Sequence, residues 1–211
     1  MAHFALVIPS LEYIILDPTP RKFQTYKEIG WDDQSIKNYL SNKENHEKIA
    51  SFMTNTISFS ASSRRNRFYE IYNQYNMLDL EIAFKGAVEG LTKLSKHFET
   101  HIISERIKQL QEKTLEQLSN LQFPMDKIHL YFKQTHESLY SYKRDVIRKI
   151  VSKFPSGVGI ITHPKDGDLF KPYEYAVLGF DTIKGETTFS GHSEFVCHSW
   201  KEIYASLEDQ Q

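Results

Sequence analysis

Cysteine is nearly missing from this sequence: Cys197 is the only one among 211 residues. One thiol excludes an intramolecular disulfide and every zinc site built from paired thiolates. Such sparse use of cysteine is typical of a reducing compartment, so we expect a cytoplasmic protein. Long apolar runs are missing too, and none approaches the ~20 residues that a membrane-spanning helix needs. No lysine or arginine precedes the apolar run at residues 4–8, so we expect neither an export signal nor membrane contact.

Proline and glycine are scarce in the middle of the chain. Proline is absent between Pro20 and Pro124, and glycine is absent between Gly90 and Gly157. Both residues disfavour helix interiors, proline because it lacks a hydrogen-bond donor and glycine because it is conformationally free. Their absence therefore permits long helices in the middle of the chain but not at its ends.

Apolar residues in this middle segment recur mostly at steps of three and four, which is the spacing of one helix face. Pro124 suits the first turn of a second helix, and Pro155 with Gly157 would end it. We therefore predict a long antiparallel helical hairpin of residues 91–119 and 124–154. Its two apolar stripes are Leu91, Leu94, Phe98, Ile103, Ile107, Leu110, Leu118 and Leu121, then Ile128, Phe132, Leu139, Tyr142, Val146, Ile150 and Phe154.

The two ends of the chain contain short runs of β-formers. These runs are residues 3–8, 11–16, 157–162, 173–180 and 187–198, while residues 34–55, 64–89 and 200–207 favour helix. We therefore predict an α+β fold, mainly α, with a small, mostly antiparallel sheet from both chain ends. Residues 1–211 would form a single domain with a β-rich start (1–22), a helical region (23–154) and a β-rich end (155–211).

A histidine and acid cluster near the end suggests one kind of chemistry. On a strand, His192 and Glu194 would share a face, and His163 and Asp168 from a neighbouring segment would complete a divalent-metal site. This pattern supports an alternative function as a metal-dependent hydrolase or nuclease, and only this alternative calls for a cofactor. The same four residues need no metal if they are scattered polar side chains on a solvent-facing strand.

Basic residues suggest a second alternative, direct binding of nucleic acid. Arg64, Arg65 and Arg67 lie beside aromatic residues, and Arg144 and Arg148 lie one turn apart on a predicted helix. Arginine can grip phosphate while an aromatic ring stacks on a base. A solvated helix face explains these positions equally, and the sequence pI of about 6.8 is not that of a broadly basic protein.

Aromatic residues are abundant, with Tyr69, Tyr72 and Tyr75 crowded on one predicted helix. Tyrosine is favoured at interfaces, although rings can equally surround the protein's own core. The sequence contains no glycine-rich phosphate loop, serine elbow or kinase signature. The leading hypothesis is therefore a non-catalytic subunit or adaptor without a cofactor. It would dock on a larger protein complex, for example one that handles nucleic acid, or would form a homo-oligomer.

Overall fold

The computed structural model describes residues 4–41, 59–135, 137–181, 189 and 191–208, with the side chains of residues 59–65 left out. The chain divides into two compact units. The core unit comprises Met1–Asp17 and Ala83–Gln211, and the inserted unit comprises Pro18–Ile82. The prediction of one domain over residues 1–211 stays a prediction.

A parallel sheet of six strands organises the described part of the core unit. The strands in chain order are β1 (Ala5–Ile8), two short strands β2 (Leu16–Asp17) and β3 (Ile82–Ala83), β4 (Glu99–Ile107), β5 (Ile128–Lys133), β6 (Ser156–Ile161), β7 (Glu174–Phe180) and β8 (Phe195–Cys197). In the large sheet their spatial order is β5-β4-β1-β6-β7-β8, and every neighbouring pair is parallel. The order reverses direction beside β1, which is the doubly wound arrangement of an α/β protein.

Strand β1 is buried on both faces. Leu6 and Ile8 join one hydrophobic cluster, whereas Ala5 and Val7 join another on the opposite face. A parallel strand that is covered on both faces consists of consecutive apolar residues, and this accounts for the sequence Ala-Leu-Val-Ile of β1.

Helices connect these strands. In the inserted unit they are α1 (Thr19–Glu28), α2 (Asp33–Leu40), α3 (Phe59–Tyr72) and α4 (Tyr75–Leu78). In the core unit they are α5 (Ala87–Leu94), α6 (Gln111–Asn120), α7 (Leu139–Val151), α8 (Pro164–Gly167) and α9 (Trp200–Glu208), with 3₁₀ turns at Lys108–Leu110 and Met125–Lys127. Among the described residues, none of these helices combines the length and apolarity that crossing a bilayer demands.

A buried arginine ties the inserted unit together. The Arg21 guanidinium donates a hydrogen bond to Glu81 at 2.7 Å and another to the Tyr72 carbonyl at 2.7 Å. It also lies 3.5 Å from the centre of the Tyr72 ring. Both charged side chains are fully buried, so removing them from water costs free energy. The opposite charges and the well-placed hydrogen-bond partners offset this desolvation cost.

The predicted helical hairpin is wrong. Segment 91–119 contains the end of α5, the whole of β4 and most of α6, while segment 124–154 contains β5 and α7. Ile102 and Ile103 are buried on opposite faces of β4, so apolar residues fall at helix-like spacing inside a two-sided strand. The predicted antiparallel sheet is wrong as well, because helical crossovers make all the large-sheet pairs parallel.

Candidate functional site

Polar side chains gather at the carboxyl edge of the central strands. Ser10 and Glu12 follow β1, Ser104 to Arg106 lie at the end of β4, and Asp166 follows β6 on α8. Lys143 reaches the same place from α7. In open α/β sheets this edge, where the strand order reverses, is where ligands bind. We call this set the switch-point cluster; its members are Ser10, Glu12, Ser104, Glu105, Arg106, Lys143 and Asp166.

Lys143 is the centre of the cluster. Its ammonium donates to Glu105 Oε1 at 2.8 Å and to Asp166 Oδ2 at 3.0 Å, and its side chain is only 5% exposed. Burial alone would lower the pKa of Lys143, but the two carboxylates outweigh it, so the pKa is raised. The ammonium therefore stays charged throughout the physiological range.

Helix α7 places Lys143 there through its amphipathic pattern. Tyr142, Val146, Ile147 and Ile150 pack into the hydrophobic cluster on one sheet face. Lys143 lies beside this buried face, so its four-carbon stem can run along apolar surface while the ammonium reaches the sheet edge.

Ser10 supplies a hydroxyl at the end of the central strand. Its Oγ donates to the Glu12 carbonyl at 2.8 Å and lies 3.4 Å from Glu105 Oε1, the same oxygen that Lys143 contacts. Ile8 pairs with Ile102, so the same register continued by two residues sets Ser10 opposite Ser104. The hydroxyl, the carboxylate and the ammonium are thus consecutive members of one chain of contacts.

The backbone around the cluster departs from regular geometry at two points. Tyr13, just past β1, has a φ of 68°, which a bulky residue rarely adopts. Strand β4 changes register between Ser104 and Ile107, and a bulge of this kind redirects side chains near active sites. A positive φ at a bulky residue is a strained conformation, which is concentrated at functional sites, and bulges are over-represented beside active sites.

A second ion pair closes the cluster on the β4 side. Arg106 Nε lies 3.4 Å from Glu12 Oε1, and its Nη1 donates to Thr114 and Gln117 at 2.9 Å each. The cluster therefore holds three carboxylates and two cations, which leaves one negative charge in excess when all five are ionised. It opens to solvent at Glu105, whose side chain is 34% exposed.

The four residues predicted to bind a metal are only partly brought together. Asp168 lies 3.2 Å from His192 Nδ1 and 2.6 Å from Lys171, whose hydrogen bond lowers the pKa of Asp168. His163 accepts a hydrogen bond from the Lys165 amide at the start of α8, and Glu194 is exposed. Across the described residues, no group of three or more histidine, cysteine or acidic side chains is arranged to hold a metal ion.

The predicted nucleic-acid contacts occupy separate positions. Arg144 pairs with the neighbouring Asp145 at 3.1 Å, Arg148 is exposed on α7, and Arg67 pairs with Glu70 at 3.5 Å. Arg64 and Arg65 lie on α3, with side chains outside the described part. Binding of nucleic acid by these arginines stays a prediction.

The predicted partner-binding tyrosines differ in their surroundings. Tyr69 and Tyr72 pack against Phe68, with ring centres 5.6 and 5.4 Å apart, whereas Tyr75 is exposed. Two of the three rings therefore belong to the inserted unit's own aromatic core, the structural role that the sequence had left open.

Sequence reasoning missed the switch-point cluster. None of its seven members is among the site residues predicted from the sequence. The signal that could have found the site is a polar residue that follows each apolar run, namely Ser10 two residues after β1 and Ser104 after Ile102 and Ile103 in β4. That signal depends on knowing that both segments are parallel strands.

Comparisons with known proteins bear on this site. No protein-family profile matches the chain, and no curated protein does either. Solved structures match over nearly the whole chain. A haloacid dehalogenase-like hydrolase from Streptococcus pneumoniae has a TM-score of 0.69 at 17% identity, covering 98% of this chain and 100% of its own. A proposed phosphoglycolate phosphatase from Lactobacillus delbrueckii subsp. bulgaricus has a TM-score of 0.65 at 14% identity, covering 98% and 99%. A proposed hydrolase from Bacillus subtilis, bound to magnesium, has a TM-score of 0.63 at 11% identity, covering 97% and 99%.

At these identities the likeness shows the fold, which is that of haloacid dehalogenase-like hydrolases. The leading hypothesis of a non-catalytic adaptor is wrong, because its hairpin does not exist and the similar chains are described as hydrolases. The predicted docking on a larger protein complex or in a homo-oligomer is wrong for the same reason. The alternative of a hydrolase agrees better with the comparisons.

Magnesium is the cofactor to which the comparisons point, so they give no support to a cofactor-free chain. The donor set of the switch-point cluster does not fit this cation. Glu105 and Asp166 share the Lys143 ammonium, and Glu12 is paired with Arg106. A divalent ion between Glu105 and Asp166 would have to displace the buried Lys143 ammonium.

Proposed function

We propose that the chain hydrolyses phosphate esters of small molecules at the switch-point cluster. The observation that carries this proposal is the contact sequence from Ser10 Oγ through Glu105 to Lys143 and Asp166, at the edge where α/β sheets bind ligands. The fold shared with a proposed phosphatase and with other hydrolases supports it.

Ser10 is the proposed nucleophile, since its hydroxyl lies beside a carboxylate that can take its proton. In the first step Ser10 Oγ bonds to phosphorus, Glu105 accepts the hydroxyl proton, and the ester oxygen leaves and takes that proton. In the second step water attacks phosphorus and gives a proton to Glu105, which returns it to Ser10 Oγ as the bond between that oxygen and phosphorus breaks. The products are an alcohol and inorganic phosphate.

The nucleophile also separates two activities associated with this fold. A serine that displaced halide from carbon would form an ether, which water does not cleave under mild conditions, so the enzyme would stop after one turnover. A serine phosphate ester, by contrast, can be hydrolysed. The hydroxyl at position 10 therefore favours phosphate-ester hydrolysis over dehalogenation.

Lys143 would supply the positive charge near the transferred group. It holds Glu105 and Asp166 in place by hydrogen bonds and offsets part of the charge that develops on the phosphoryl oxygens. Because its pKa is raised, this role does not depend on pH in the physiological range. We also propose that the reaction takes place in the cytoplasm, in line with the sparse use of cysteine.

The test is turnover of p-nitrophenyl phosphate by the wild-type chain and by Ser10→Ala, with and without magnesium. We expect kcat to fall by ~10³-fold or more in Ser10→Ala, since loss of a nucleophile removes the covalent route. The matched control is Ser152→Ala, whose hydroxyl caps the exposed end of α7 and which should keep full activity. Absence of wild-type turnover on a panel of phosphate esters, or full activity of Ser10→Ala, would refute the proposal.

A further inference from the structure

We propose that the Lys143 ammonium occupies the position of a divalent cation, so the switch-point cluster works without a metal. This inference rests on the geometry of the cluster and goes beyond the proposed reaction. It also separates this chain from the magnesium-bound Bacillus subtilis protein that shares its fold.

The first argument is position. Lys143 Nζ lies between Glu105 and Asp166 at 2.8 and 3.0 Å, which are the distances of charge-assisted hydrogen bonds. Magnesium needs oxygen ligands at ~2.0–2.1 Å in an octahedron. The ammonium fills the space between the two carboxylates, so a divalent ion at that same position would have to displace it.

The second argument is the cost of moving Lys143 away. Its side chain is almost completely buried, and the Asp166 side chain is only 11% exposed. Breaking a buried ion pair leaves an uncompensated charge, which is strongly unfavourable. Helix α7 is anchored by Val146, Ile147 and Ile150 in the core, so the helix itself cannot easily withdraw the lysine.

The third argument concerns the remaining carboxylate. Glu12 Oε1 lies 3.4 Å from Arg106, whose side chain is 2% exposed and is held by Thr114 and Gln117. A divalent ion placed among Glu12, Glu105 and Asp166 would therefore lie close to two buried cations. Their repulsion acts against metal binding in a region with little solvent to screen it.

The experiment measures magnesium binding directly, by thermal unfolding and by isothermal titration with MgCl2. The reference is NaCl of equal ionic strength. A ligand that binds only the folded state raises Tm, so a metal site would appear as a saturable shift. We expect no saturable shift for the wild-type chain.

The decisive variant is Lys143→Met, which removes the ammonium and leaves the two carboxylates facing each other. We expect its Tm to be lower in NaCl and partly restored by millimolar MgCl2, because the cation replaces the missing charge. Lys149→Met, on the exposed side of α7, should show neither effect. If Lys143→Met does not fold, the wild-type titration decides the question alone.

A saturable wild-type shift that disappears in Asp166→Asn would overturn the proposal, and so would a folded Lys143→Met that gains no response to magnesium. If magnesium raises Tm in the wild-type chain and still does so in Asp166→Asn, it binds at another place, which agrees with the proposal. The outcome is independent of the proposed reaction. An inactive but magnesium-insensitive protein refutes only the phosphatase, whereas activity strictly dependent on magnesium refutes only this inference.

Discussion

Acid should destabilise this protein through His101, a buried histidine on β4. The residue is 5% exposed, its Nδ1 lies 3.0 Å from the Tyr131 hydroxyl, and its ring stacks on the His129 ring with centres 5.0 Å apart. Its Nε2 is buried without a hydrogen-bond partner among the described residues. Burial, aided by the nearby His129, lowers the pKa of His101 from 6.5 to about 4, although Glu99 opposes this shift.

The sign of the effect follows from proton binding. Between the two pKa values the unfolded chain holds a proton on His101 and the folded chain does not, so stability falls as the pH falls. With pKa values of 6.5 unfolded and about 4 folded, this one group removes about 2 kcal/mol from the free energy of unfolding between about pH 7.5 and about pH 5.

The assay is urea denaturation of the wild-type chain and of His101→Gln at these two pH values. Glutamine does not titrate, so its variant should lose about 2 kcal/mol less stability on acidification than the wild-type chain does. His97→Gln, at an exposed position, is the control and should follow the wild type. An equal loss in wild type and His101→Gln would refute the reasoning, because His101 would then be accessible to protons in the folded state.

Two further predictions concern stability. Glu81→Gln breaks the buried pair with Arg21 and should cost about 3–5 kcal/mol in urea denaturation, whereas the exposed Glu70→Gln should cost less than about 1 kcal/mol. Equal effects of the two would show that the Arg21 pair is not buried as described. Gly90→Ala places a methyl group 2.7 Å from the Trp200 ring, so overpacking should cost about 1–3 kcal/mol by the same assay. An unchanged midpoint would mean that the ring moves freely aside.

The ends of the chain were predictable because their strands are continuous apolar runs between clear punctuation. Residues 3–8 and 173–180 contain the strands β1 and β7, residues 157–162 overlap β6, and residues 200–207 lie within α9. These predictions are confirmed. Their parallel pairing was not predictable from the runs themselves, because it depends on crossovers through the middle of the chain.

The helix prediction for the middle of the chain was wrong for a specific reason. Ile103, Ile107 and Leu110 are spaced by four and three residues, as on a helix, yet the first two belong to β4 and the third to a 3₁₀ turn. Periodicity cannot distinguish a two-sided buried strand from a helix segment. The β-branched residues Ile102 and Ile103 favour a strand, a signal that the helix prediction did not use.

The candidate site could not be predicted from the sequence for a related reason. Lys143 contacts Glu105 and Asp166 across 38 and 23 residues of sequence, and no local pattern links them. Within its own helix Lys143 belongs to a basic stretch with Arg144 and Arg148, which are exposed. Only the packing of α7 on the sheet separates the one buried cation from its exposed neighbours.

The cost of the switch-point cluster is itself an argument for function. A buried ionic group can often be replaced by apolar residues at no loss of stability, so stability alone does not explain Lys143 with its two carboxylates. The same place also carries the positive φ of Tyr13 and the bulge in β4. Local rules broken together are expected where a site requires them. The Arg21–Glu81 pair is buried even more completely, but its partner Tyr72 provides a backbone carbonyl and a ring face, which is the setting of a structural anchor.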